Sequence, residues 1–460
     1  MDGHEMAPAR NPWATFWVVA GGVFVVYLDV LIVNVAFPSM LESFDGVSLA
    51  HLSWVLNAYA IGFAALLVPA GRFADRIGRK RGFLIGMGLF TLASIACGAA
   101  PSVGLLIGAR VVQSAGAALM IPSSLALLLT SFPPNKRVSA IGSWAAVAAV
   151  AAALGPSVGG VLVESSWRWV FFLNIPIGIA AIIVGRRILH ESKDPAGGRI
   201  PDLLGITLLG VSVALLVLAI VQGSEWGWTS ARVLGAFAMA AILGAGFLVR
   251  CVTHEAPAIE LDLLRSKRFA AANFASLVFT GAMSGMIIAS ILFVQDIWRY
   301  SPIQSGLGIA PGAILAGLGS VVIGRIGVRL PARAVCVGGS VLFAVGLVWW
   351  LWRLTPERHY LRDMLPGSVL TGFGIGLVQP VMTAVAATSV PPARFATGGA
   401  VLNVARQIGT ALGIALVVAV LGNTPTFDHF ATGWVTLIGA ALLSAVASAW
   451  ISVPKSGMRS

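Results

Sequence analysis

The sequence predicts an all-α polytopic membrane protein of fourteen transmembrane helices, two six-helix halves with two further helices inserted between them. Three observations carry this. The chain is 58% hydrophobic and only 10% charged, with a mean hydropathy of +0.91, whereas soluble domains hold about 25% charged residues. Its apolar residues gather into runs close to the roughly 20 residues that a helix needs to cross a bilayer. Proline and glycine patterns near the start of the chain return, in the same order, near its end.

The first run, 14–37, follows a charged tail and ends in no small-residue cleavage site, so it reads as a retained span rather than a signal peptide. Runs at 52–70, 83–100, 104–130, 138–162 and 169–189 complete a first half, 14–190. Runs at 203–221 and 233–249 form the inserted pair within 200–265. Runs at 270–294, 305–323, 334–352, 365–387, 398–421 and 433–453 make the second half, 266–453. Short tails, 1–13 and 454–460, remain at the two ends. With the N-terminus in the cytoplasm, 22 of the 30 Lys and Arg residues fall on the inner side, 6 on the outer side and two deep within spans. That asymmetry orients the chain and accounts for its net charge of +12 without a nucleic-acid partner. An even number of spans places both termini in the cytoplasm. Cys97, Cys251 and Cys336 have neither paired nor metal-ligand spacing, and the His residues are scattered, so free thiols and no metal site are expected. Trp226, Trp228, Trp298, Trp349, Trp350 and Trp352 lie near span ends and read as interface belts.

The repeat has two parts. Gly71, Arg72 and Arg76 share their spacing with Gly324, Arg325 and Arg329. In 116–137 and 374–394 a Gly lies six residues before a Pro, and a Pro-Pro pair begins eleven residues after it. Spans one to six thus repeat as spans nine to fourteen. Two parallel halves are a transporter architecture, with the substrate site between them near the midplane.

Three motifs stand out. "GRFADRIGRKR" at 71–81 combines Gly71, Arg72, Asp75, Arg76, Gly78, Arg79 and Lys80; Asp75 adds nothing to orientation, so the loop does more than obey the charge rule. "RVVQSAGAA" at 110–118 places Arg110 inside a span, where it needs a partner. Gln113 lies one turn on, on the same face. "LGPSVGG" at 154–160 sets Gly155, Gly159 and Gly160 around Pro156, a bend with small residues for close contact with the other half. These resemble the cytoplasmic, Arg-x-x-Gln-Gly-x-Gly and antiporter motifs of the major facilitator superfamily, with Ser114 in place of one Gly. "YLDVLIVNVAFP", "WRWVFFLNIPIG" and "ARQIGTALGIAL" look like its fourteen-helix drug:proton antiporters, and the likeness runs over about 14–453. Asn57 stands where a small hydroxyl residue is common. The resemblance implies export rather than uptake and alternating access by rocking halves. It also implies an inner gate in which Asp75 lies against the N-terminal end of span thirteen, near Arg394 to Gly399.

Asp29 is the one acid of eighteen placed deep within a span. Counting 1.5 Å per residue puts it about 22 Å from the inner end of span one and about 12 Å from the outer end, and Arg110 about 9 Å from the outer end of span four. Burial disfavours a charged carboxylate and a nearby cation restores it. A pair between the two is therefore expected, either as structure or as a site that loads and releases a proton. Other polar residues within or beside spans, Asn34, Trp54, Asn57, Tyr59, Asn174, Gln295, Gln379, Asn403 and Arg406, are candidates for a substrate cavity; interhelical hydrogen bonds are the plain alternative for the amides. Arg406 lies about 12 Å from an inner span end and could snorkel to headgroups.

The expectation is a proton-coupled exporter of amphipathic, cationic drugs or antibiotics in the cytoplasmic membrane. It would act as a monomer among lipids, with protons and a small-molecule substrate as partners, no cofactor and the proton gradient as energy source. An exporter of a lipid or host-made natural product would use the same scaffold. A non-transporting sensor is the more distant alternative. No cluster of catalytic polar groups points to an enzyme.

Overall fold

The computed structural model describes residues 11–133, 136–193, 202–255, 257, 259, 261–326, 330–390 and 395–451. Among them, fourteen helices are long and apolar enough to cross a membrane, and no strand occurs. They are α1 (Pro12–Ser43), α2 (Leu49–Ile77), α3 (Arg79–Gly98), α4 (Val103–Ser131), α5 (Arg137–Ser165), α6 (Trp169–Ile188), α7 (Leu203–Val221), α8 (Ala231–Thr253), α9 (Lys267–Ile297), α10 (Pro302–Ile326), α11 (Ala332–Arg353), α12 (Tyr360–Thr388), α13 (Phe395–Leu421) and α14 (Phe427–Ala449). The tail residues 1–10 and 452–460, with Arg329, Arg394 and most of the 190–202 connection, lie outside the described residues.

Local chemistry sets the starts. The Asn11 side chain accepts the N–H groups of Trp13 and Ala14, and Pro12 opens α1 with the φ a helix needs. Ser48, Ser102, Ser230 and Ser266 cap α2, α4, α8 and α9 in the same way. Each cap gives an orphan N–H a partner where the chain leaves the headgroup region.

Helix pairing follows the repeat. Within the first half α1 packs on α5 and α6, α2 on α4, and α3 on α4 and α6; within the second, α9 packs on α13 and α14, α10 on α12, and α11 on α12 and α14. Between the halves α2 packs on α13 and α5 on α10, the two contacts that a twofold relation between the halves exchanges. The inserted α7 and α8 pack on each other, and α7 packs on α2 and α13. Asp202, at the start of α7, receives two hydrogen bonds from Arg250 of α8 at 2.9 and 2.8 Å. That guanidinium pulls the Asp202 carboxyl down to about 2.

The largest apolar cluster joins residues of both halves. It includes Phe37, Val55 and Trp167 of the first half and Phe293, Trp298, Trp350 and Trp434 of the second. Trp298 and Trp350 are therefore core, not belt: their indole N–H groups donate to Thr355 O at 2.8 Å and Met364 O at 2.9 Å, so the polar edge is satisfied without water. Trp228 and Trp352 are exposed as expected of a belt. A second cluster, around Phe16, Phe63, Phe83, Phe90 and Leu128, belongs to the first half alone.

Candidate functional site

Asp29 and Arg110 meet at the centre of the first half, and both are fully enclosed. Arg110 Nη1 donates to Asp29 Oδ2 at 2.5 Å and to Gln113 Oε1 at 2.6 Å, and its Nε donates to Val55 O at 3.0 Å. Asp29 Oδ1 accepts from Gln113 Nε2 at 2.9 Å and from Asn174 Nδ2 at 3.0 Å. Ser94 Oγ accepts from both amides, at 2.9 and 3.2 Å. The Arg110 guanidinium carbon sits 4.1 Å from the centre of the Tyr59 ring, a cation–π contact in a dry setting. Five helices, α1, α2, α3, α4 and α6, thus supply one network that satisfies both charges. A buried pair of this kind loses stability when either partner is removed.

The network redistributes several sequence candidates. Asn174 and Tyr59, read from sequence as cavity residues, belong to the Asp29 cage. Ser94 was not anticipated, because one serine among the small residues of α3 carries no signal of its own. Both carboxylate oxygens of Asp29 accept hydrogen bonds in this arrangement, and the residue has no exposed surface. Trp54 lines a groove of about 310 Å³ between α2, α4 and α7. Asn57 is buried and bonds Ser53 within α2 at 3.4 Å; Asn34 bonds Val30 O within α1 at 2.6 Å. Gln295 lies in the last turn of α9 with its Nε2 buried and unpaired. Gln379, Asn403 and Arg406 stay together in the second half. Arg406 Nη2 donates to Gln379 O at 2.9 Å and to Thr383 Oγ1 at 2.8 Å on α12.

The 71–81 segment is helical on both sides of a single hinge. Gly78 takes φ +117°, a conformation that L side chains rarely adopt, and it separates α2 from α3. Asp75 pairs with Arg79 across the hinge at 2.7 Å. Glu191, which the sequence reading did not single out, accepts the Lys80 N–H at 3.0 Å at the N-terminus of α3. Lys80 Nζ donates to Arg186 O at 2.8 Å. Gly71 faces Pro122 of α4, Arg72 is half-buried and Arg76 exposed. Among the described residues the ion-pair partner of Asp75 is Arg79, on its own side of the molecule; Arg394, named as a docking point for Asp75, lies outside the described residues.

The glycines of 154–160 divide their work. A Cβ on Gly155 or Gly159 would strike Leu31 or Ile32 of α1, in the same half, where contact with the other half was expected. Gly160 alone of the three meets the second half: a Cβ there would lie 2.6 Å from Pro302 O and 2.8 Å from Ile303 Cα. Gly306 of α10 returns the contact against Pro156 O. In the "RVVQSAGAA" motif, Ser114 fills the space that Gly62 of α2 leaves, so the serine keeps the close α2–α4 approach. Beside the α5–α10 contact, a cavity of about 70 Å³ lies between the halves, lined by Leu31, Pro156, Ile287, Gly312, Trp350 and Thr371.

Two bundles joined through α2–α13 and α5–α10, with a dry ion pair at the heart of one, define a membrane transporter. The chain belongs to the Major Facilitator Superfamily, whose profile matches residues 19–414 and again 273–459. It is 35% identical over 445 residues to the methylenomycin A resistance protein of Streptomyces coelicolor, covering 96% of this chain and 92% of that one. It is 35% identical over 414 residues to the multidrug resistance protein Stp of Mycobacterium tuberculosis, covering 90% and 76%. It is 33% identical over 429 residues to the tetracenomycin C resistance and export protein of Streptomyces glaucescens, covering 92% and 78%. A crystal structure of the peptide transporter POT in complex with sulfate superposes with a TM-score of 0.69 at 16% identity, over 96% of this chain and 95% of that one. That likeness concerns the fold. The protein is thus a multi-pass membrane transporter and not an enzyme.

Proposed function

We propose that this transporter exports antibiotic-like small molecules across the cytoplasmic membrane in exchange for protons, both termini facing the cytoplasm. Relatives that carry resistance or export in their names support the direction of transport. The observation that carries the coupling is the Asp29 cage. A carboxylate with no exposed surface, held by Arg110, Gln113 and Asn174, sits where a change in helix packing alters its hydrogen bonds. Its two states differ by one proton, and the balance between desolvation and the cation decides which is favoured. Rocking of the halves about the α2–α13 and α5–α10 contacts would open Asp29 to one side and then the other. The first half then carries the proton, with no cofactor, and the cavity between the halves carries the substrate.

The test is a resistance and accumulation screen in an efflux-deficient host, repeated with a proton uncoupler. Lowered accumulation that the uncoupler abolishes is the expected result. Lowered accumulation that survives the uncoupler would exclude proton coupling, and no effect on any compound would favour export of a lipid or a host-made product.

A further inference from the structure

The two halves each hold one arginine deep in the membrane, and only one of them is neutralised. Arg110 has Asp29. Arg406, about 16 Å along α13 from Phe395 at 1.5 Å per residue, has no carboxylate partner among the described residues. The carboxylates on the second half's membrane helices, Asp296, Asp363 and Asp428, belong to the opposite, outer helix ends, and Asp363 is already paired with Arg353 and Arg362. The two acceptors that Arg406 has, Gln379 O and Thr383 Oγ1, are neutral and both are used by Nη2. Among the described residues its Nε is buried without a partner, and no acceptor meets Nη1.

Arg406 also faces the space between the halves. It is half-buried, and its titratable electrostatic neighbour is Tyr27, on α1 of the opposite half. Tyr27 keeps 36% exposure in the middle of a membrane helix. One turn further out on α1, Leu31 already lines the cavity with residues of the second half, so the face bearing both looks toward that half. Asn403, one turn before Arg406 on the same face of α13, is half-buried and its side-chain amide has no partner among the described residues. A guanidinium with unused donors, a free amide and an aromatic ring across the gap form a receptor for an anion attached to an apolar body.

We propose that Arg406, with Asn403 beside it and Tyr27 opposite, binds the anionic group of the exported molecule, a carboxylate in the simplest case. This rests on the transport reading above and reverses the charge expected of its substrates. An uncompensated cation inside the membrane is costly until an anion pairs with it, and charge-assisted hydrogen bonds to guanidinium are the strong ones. The proton and the substrate then occupy different halves, and the coupling between them runs through the rocking motion, not through competition for one carboxylate.

The experiment measures binding of pyrenebutyrate, and of pyrenebutylamine as its matched cation, to the full-length protein in phosphatidylcholine nanodiscs. Wild type, Arg406→Gln, Arg406→Lys and Arg265→Gln are compared, the last as a control at an exposed loop arginine. The anion is expected to bind about tenfold or more tightly than the cation. Arg406→Gln should remove that preference, Arg406→Lys should keep part of it, and Arg265→Gln should change nothing. Equal anion affinity in wild type and Arg406→Gln, both monodisperse and with matching thermal transitions, would overturn the proposal. So would loss of anion binding when phosphatidylglycerol replaces part of the lipid, since the occupant would then be a headgroup. Anion binding intact beside absent proton-driven efflux would sink the antiport reading alone. Absent anion preference beside intact proton-driven efflux would sink this proposal alone.

Discussion

Gly160→Ala tests whether the α5–α10 contact holds the outer side closed. The added Cβ would lie 2.6 Å from Pro302 O and 2.8 Å from Ile303 Cα, where ordinary contact begins at 3.4 Å. The obstruction is backbone on both counts, so no rotamer change relieves it. The two helices must part by close to an ångström, or the contact must open. Overpacking of this kind costs about 1–3 kcal/mol. If the open arrangement escapes the clash, the equilibrium moves toward it by roughly five- to one-hundred-and-fifty-fold, at about tenfold per 1.4 kcal/mol. The assay is labelling of Ile287→Cys, which lines the cavity between the halves. The probe is a membrane-impermeant maleimide applied from outside, with the three native cysteines replaced. Labelling should rise in Gly160→Ala and stay unchanged in Gly88→Ala, where a Cβ meets nothing within 4 Å. Equal labelling in wild type and Gly160→Ala would refute the reasoning, because the clash would then be absorbed without opening the contact.

Two further predictions concern charge pairs. Arg110→Met should destabilise the purified protein by about 3–5 kcal/mol, because Asp29 is left enclosed without its cation. Adding Asp29→Asn should recover most of that loss, and a double-mutant cycle from thermal unfolding reads it directly. Asp202→Asn should loosen α7 from α8 at neutral pH. A carboxyl lowered from 3.8 to about 2 contributes stability that is present above pH 4 and is lost as pH falls through about 2. The gap between wild type and Asp202→Asn in protease resistance of the α7–α8 region should therefore close between about pH 4 and pH 2.

Much of this is legible in the amino-acid sequence. Fourteen spans follow from hydropathy because every backbone polar group in a bilayer must be satisfied within a helix. Asp29 and Arg110 could be matched by depth alone, since charges in hydrocarbon seek one another. The sequence said less about direction around each helix axis. Asn174 and Trp54 were both read as cavity residues; one faces Asp29 and the other faces α7, a difference fixed by neighbours that spacing does not reveal. Gly155 and Gly159 showed that a helix contact was close but not with which helix. Trp298 and Trp350 sit near span ends, as belt residues do, yet the largest apolar cluster encloses them. Ser94 and Glu191 reach their places in the site through partners far along the chain, at Gln113, Asn174 and Lys80, and their local sequence gives no sign of it.

The central claim is that Asp29 carries the coupled proton. Its most direct test is efflux into proteoliposomes under an imposed pH gradient, comparing wild type with Asp29→Asn on a substrate found in the resistance screen. Asparagine keeps the shape of the protonated acid and removes its titration. Asp29→Asn is predicted to insert, to bind substrate and to exchange it between the two sides, yet to build no concentration gradient from the pH gradient. Accumulation by Asp29→Asn equal to that of wild type would contradict the account and leave the Asp29–Arg110 pair as a purely structural feature.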